Sequence, residues 1–117
     1  MSKRVMISQP MAGKTVEEIR DDRDRAEMAI LNTGCFDEVV DTLFDDFSYN
    51  PKLLRAGGVK QVALYMLGTA LRCMSQCDAV YFCDGWLSAR GCQIEHAVAK
   101  AYGLEVIYEK TKEKTNE

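Results

Sequence analysis

The 117-residue chain has no apolar stretch near the roughly 18 residues that a membrane-spanning helix requires, so a helical membrane protein is excluded. Its opening, MSKRVMISQP, offers only a short apolar run before Gln9 and Pro10; no secretory leader is predicted, and the chain is expected to stay in the cytoplasm. Nor is there a CxxC pair among the five cysteines, Cys35, Cys73, Cys77, Cys83 and Cys92. An odd set of this kind, without a leader, implies free buried thiols in a reducing compartment rather than a disulfide framework. An uncompensated basic stripe is also missing. Net charge is −3, and lysines and arginines are interleaved with acids in EEIRDDRDRAE and EKTKEKTNE, which argues against a nucleic-acid polymer as partner. Backbone amides at a helix start can still hold a small anion, because that needs no net positive charge.

What is present is an ordinary globular balance, 47% apolar and 28% charged residues, in a length that suits one domain. RVMIS, Arg4–Ser8, reads as a buried strand stopped by Gln-Pro. Thr15 and Glu18 form a capping box, and Val16, Ile19, Ala26 and Ile30 recur at helical spacing up to Gly34, which predicts a helix over 15–33 with its charges from Glu17 to Arg25 on a solvated face. A short strand is predicted around 38–41. The stretch DDFSYNPKLLRAGG has no sustained period and contains Asn-Pro and Gly-Gly breakers, so it reads as a long connection carrying Phe44, Phe47 and Tyr49. A second helix over 59–76 sets Leu64, Leu67, Leu71 and Met74 on one side. AVYFC over 79–83 is a third strand, 90–102 a third helix closed by Gly103, and EVIY a fourth strand; the charged residues 109–117 are expected to fray as a tail beyond a single domain of residues 1–108.

Alternation of strands and helices in this order calls for an α/β, Rossmann-like (flavodoxin-like) three-layer sandwich, with a mainly parallel sheet of about four to five strands. Ligands of such sheets bind at the carboxyl ends of the strands, beside the switch in strand order, where the loops after strands one and three both lie.

Those loops hold the candidate site residues. Glu95 falls in the first turns of the third helix, where the positive helix end is expected to keep it ionised; a positioned carboxylate can serve as nucleophile at a sugar anomeric carbon, although acids also gather in first turns for dipole reasons alone. Asp84-Gly85-Trp86 closes strand three: Asp84 can bind a sugar hydroxyl and Trp86 can stack on a base, while the plainer reading is an Asp-Gly turn with a tryptophan over the core. QPMAGKT ends like a Walker A loop, but that motif needs glycine where Ser8 stands. The loop still leads into free amides, which makes Gln9, Met11, Gly13 and Lys14 candidate lining residues. Cys92/His96 and Cys73/Cys77 are each four apart, a spacing that matches no standard metal site, so neither metal nor cofactor is expected and His96 is expected to face solvent or a neighbouring subunit.

KRVMISQPMAGKT, VVDTLFDD and CDAVYFCDGW…ARGCQIEHAVAKAYGLEVIYE resemble the small phage and bacterial proteins grouped as DUF4406, within the nucleoside 2-deoxyribosyltransferase-like superfamily. The resemblance implies a Rossmann-like sheet and cleavage or transfer at the N-glycosidic bond of a (deoxy)nucleoside or its 5′-monophosphate, with Glu95 matching the glutamate that attacks the anomeric carbon. It further implies that Ser8, Gln9, Met11, Gly13, Lys14, Tyr49, Gly85, Trp86, Ser88 and Gly91 line the ligand, that Asp84 assists Glu95, and that a homodimer or larger symmetric assembly completes the site. This chain departs from the wider pattern at three points. The acid expected about eight residues before Asp78 is Ala70; the phosphate-binding serine six before the glutamate is Ala89, with Ser88 adjacent; and the usual x-Gly after the glutamate is His96-Ala97. The alternative implied is a nucleotide-binding module that senses or sequesters a nucleotide-derived signal without turnover.

Overall fold

The computed structural model describes residues 2–40 and 51–110. Phe44, Phe47 and Tyr49, and the tail from residue 111 onward, lie outside the described residues. The elements are β1 (Arg4–Ser8), α1 (Val16–Thr33), β2 (Glu38–Val40), α2 (Pro51–Ala56), α3 (Val62–Met74), β3 (Ala79–Phe82), α4 (Arg90–Ala101) and β4 (Glu105–Tyr108), with one 3₁₀ turn over Trp86–Ser88. All four strands are parallel, in the order β2-β1-β3-β4. That is the flavodoxin-like order with four strands, so the Rossmann-like expectation holds.

The two central strands are apolar at nearly every position because both faces of the sheet are covered. Alternation along them separates two cores. Met6, Val80 and Phe82 point to one face and pack with Ala70, Cys73 and Met74 of α3 and Ala99 of α4. Val5, Ile7, Ala79, Tyr81 and Cys83 point to the other and pack with Ala26 and Ile30 of α1. Each of the fully buried Met6, Ile7, Val80 and Phe82 side chains contributes about 1.5–3 kcal/mol of transfer free energy. Thr15 caps α1 in the predicted capping box, and Gly34 ends it in the left-handed region at φ 67°.

Four expectations need correction. The stretch read as a featureless connection contains α2, whose first residue is Pro51: a proline lacks the N–H that is unpaired at a helix start anyway, so Asn-Pro begins a helix here rather than breaking one. Of the predicted side of α3, Met74 is in the core and half-buried Leu71 packs against it, but the inward side is completed by Ala70 and Cys73, while Leu64 is 63% exposed and Leu67 half-buried. The charges of α1 are not all solvated, because Arg23 is buried, paired with Glu27 at 3.4 Å and near the Val40 carbonyl, and Asp22 is largely covered. Finally Glu109, placed in the fraying tail, is anchored just after β4 by two hydrogen bonds described below. No helix among the described residues is long and apolar enough to cross a membrane.

Candidate active site at the switch point

β1 and β3 are neighbours whose outgoing connections lead to helices on opposite faces, so their carboxyl ends flank a crevice. The two loops that bound it are in contact. Gly85 turns the Asp-Gly-Trp segment at φ 89°, and a Cβ built there would lie 3.6 Å from Pro10 Cγ, an ordinary contact. Glycine is required at this point by its dihedral rather than by space.

Ser8, the last residue of β1, points to the α4 side, as its alternation with Met6 requires. It is 2% exposed. Facing it are Cys92 and Glu95, one turn apart on α4. Glu95 begins its side chain in the second turn of the helix, beyond the first-turn position in which the dipole would hold it charged. Burial is instead the largest influence and pushes its carboxyl above the usual carboxylate range, while the Ser8 hydroxyl offsets part of that push. This corrects the expectation of a carboxylate held ionised by the helix end. Burial likewise pushes the Cys92 thiol up to about 11, with Ser8 opposing and the Glu95 charge adding. Ser8 Oγ is near enough to act on both groups, yet it completes no hydrogen bond of ordinary geometry with a described residue.

The β1–α1 loop is tied to the rest of the crevice by polar contacts. Gln9 is buried and donates through Nε2 to the Ile19 carbonyl at 2.9 Å, leaving its buried Oε1 without a partner among the described residues. Met11 and Gly13 form the turn, with Lys14 N bonded to Met11 O and Gly13 at φ 78°. Lys14, a candidate ligand hook, pairs with Asp22. Asp22 also pairs with Arg25 at 3.0 Å, Arg25 with Glu109 at 2.8 Å, and Glu109 accepts the Asp84 backbone N–H at 2.7 Å. A chain of charges thus runs from the loop after β1, across α1, to the ends of β4 and β3. Its hydrogen bonds to Lys14 and Arg25 bring the Asp22 carboxyl below its ordinary value, against the largest single influence, burial, which acts upward. Asp22, Arg25 and Glu109 were not singled out in the sequence; the one available signal was Glu109 falling immediately after the fourth strand.

Trp86 sits in an aromatic cluster with Phe82, His96 and Tyr108. The His96 ring stacks on the indole with centroids 4.2 Å apart and planes at 24°, and its Nε2 lies 2.7 Å from the Tyr108 hydroxyl. Phe82 meets the imidazole edge-on at 5.1 Å. His96, expected to face solvent or a neighbouring subunit, is half-exposed and lies over Trp86. Ser88 closes the 3₁₀ turn, exposed, and Gly91 is the second residue of α4, with open space at its Cβ position. Asp84 is exposed, and it is the backbone N–H rather than the carboxylate that the fold anchors. Ala70 lies in the α3 core, so the position of the absent acid faces the sheet. Among the described residues no group of three His, Cys, Asp or Glu side chains can hold a metal ion.

Comparison with curated proteins and with solved structures finds no match. Residues 3–108 match the family described as Domain of unknown function (DUF4406), a span that takes in β1 through β4 and every candidate residue named above. The chain, whose strand-one loop and D-G-W…E segment form the crevice just described, belongs to the DUF4406 family.

Proposed function

We propose that the crevice between β1 and β3 acts on the N-glycosidic bond of a (deoxy)nucleoside or its 5′-monophosphate, with Glu95 as nucleophile. The observation that carries this reading is the Glu95 carboxyl, half-buried at the switch point and opposed by Ser8. In the proposed step a Glu95 oxygen bonds to the anomeric carbon as the carbon–nitrogen bond breaks, and the bond pair leaves with the base, which takes up a proton from solvent water at the crevice mouth. Water or a second base then releases the sugar from Glu95. A desolvated carboxylate is a stronger nucleophile and stabilises a cation-like sugar more than a hydrated one does. Asp84, exposed at the mouth, is assigned the sugar or base contact, with Trp86 alongside; Gln9 and Lys14 belong to the loop that would face the sugar or phosphate.

The experiment is incubation of the pure protein with deoxynucleosides, ribonucleosides and their 5′-monophosphates, with and without a free acceptor base, followed by detection of released or exchanged base. Turnover abolished by Glu95→Gln supports the role; turnover unchanged in that variant removes it.

The burial of Ala70 favours a second reading, a module that binds a nucleotide without cleaving it, since the acid that assists the leaving base in the wider superfamily has no counterpart at that position. Native mass spectrometry separates the two: an intact bound nucleotide supports binding, and prompt base release supports the enzyme. Either activity is assigned to a homodimer or larger assembly. Light scattering of the purified protein measures that state.

A further inference from the structure

Ser8 Oγ is a buried hydroxyl with no hydrogen bond of ordinary geometry to a described residue. Such groups are costly, by about 1–3 kcal/mol when a polar atom is left unsatisfied, and native proteins hold few of them. The surroundings of Ser8 define a task for it. On α4, Cys92 and Ala99 are buried against the sheet, 4% and 0% exposed, and Glu95 falls between them on the same side. Strand alternation turns Ser8 toward that side. A serine hydroxyl has one proton to give and two neighbours here to receive it. Cys92, pushed up to about 11, is a neutral thiol at physiological pH and a weak acceptor, whereas a carboxylate is the strongest acceptor a side chain offers.

We propose that Ser8 is the positioning residue of Glu95: its hydroxyl, fixed by the end of β1, donates to the α4 carboxylate and orients it toward the crevice. The Cys92 S–H is then free to donate in turn to Ser8 Oγ, giving a short thiol–hydroxyl–carboxylate chain. The inference rests on the nucleophilic role given to Glu95 above, but its test does not depend on turnover.

The test is titration of the Glu95 side-chain carboxyl by carbon NMR in the wild type, Ser8→Ala and Ser8→Thr, with thermal melts alongside. The expected result is a midpoint at higher pH in Ser8→Ala and restoration toward the wild-type value in Ser8→Thr. A merely structural serine predicts the same loss of melting temperature in Ser8→Ala at acid and neutral pH; the pairing with Glu95 predicts a loss that grows as pH rises through the Glu95 midpoint. Ser8→Cys, similar in shape and a weaker donor, is the second variant should the alanine fail to fold, with a smaller shift of the same sign. A Glu95 midpoint unchanged or lowered in these variants overturns the proposal. If base release is detected, Ser8→Ala lowers kcat/KM by about tenfold or more, the rate equivalent of one hydrogen bond to a charged group, and moves the acid limb of its pH profile upward. A protein that shows the Glu95 shift but no base release refutes the enzymatic reading while leaving the Ser8–Glu95 pairing intact.

Discussion

The imidazole of His96 stacks on the indole of Trp86, with 4.2 Å between ring centroids and 24° between planes. Trp86 is the only tryptophan, so tryptophan fluorescence reports on this site. Burial, and to a lesser degree Lys100, holds the histidine below its ordinary value of 6.5. Because a protonated imidazole quenches indole emission, acidification is expected to dim the protein with a midpoint below 6.5. His96→Ala removes that titration and, through loss of the stack, costs about 1 kcal/mol in urea denaturation. An emission midpoint at or above 6.5 contradicts the partial desolvation of the ring.

Glu95 makes stability depend on pH in a defined direction. Its folded-state carboxyl lies above the ordinary value of 4.5, so between the unfolded and folded values the native state holds more protons than the unfolded chain. The contribution of the neutral carboxyl is fully present below the unfolded value and is lost as pH rises through the folded one. Glu95→Gln is expected to flatten this part of the stability profile and to melt higher than the wild type at neutral pH. A melting temperature that drops in Glu95→Gln at neutral pH contradicts a burial-dominated carboxyl.

Glu109 joins Arg25 to the Asp84 backbone N–H. Glu109→Ala is expected to cost about 1–3 kcal/mol, the usual range for a hydrogen bond to a charged group, and to speed hydrogen exchange at the Asp84 amide. Arg25→Ala is expected to cost less, since its side chain is 54% exposed and its ion pairs are screened by water. Equal exchange rates at Asp84 in the wild type and Glu109→Ala remove the anchoring role.

Thiol chemistry distinguishes one cysteine from the others. Cys35 is exposed, and the four remaining cysteines are buried. Burial pushes Cys77 and Cys92 up to about 11 and Cys83 up to about 12. A thiolate-selective reagent at neutral pH is expected to label Cys35 in the native protein and all five cysteines after denaturation. Rapid labelling of Cys92 in the folded state contradicts its enclosure beside Ser8.

Much of the fold was legible in the order of residues. RVMIS, AVYF and EVIY are apolar runs bounded by turn residues, and Thr15, Glu18 and Gly34 carry cap geometry in their side chains and dihedrals, all of which are short-range signals. The breaker reading of Asn-Pro failed because proline at a helix start and proline in a break look alike locally. Leu64 misled for a different reason: periodicity reveals that a face is apolar but not which face meets the sheet.

The site divides in the same way. Sequence by itself determined that two loops, one with Ser8 to Lys14 and one with Asp84 to Glu95, emerge at the carboxyl edge of a parallel sheet, since alternating strands and right-handed crossovers leave little choice. Only the tertiary structure decided what each residue does there. It laid His96 over Trp86, tied Lys14 to Asp22, brought Glu109 back to Asp84, and set Ser8 against Glu95 from a strand far away in the chain. The physical reason is that capping and patterning act over a few neighbours, whereas desolvation and charge pairing depend on which distant groups share a space.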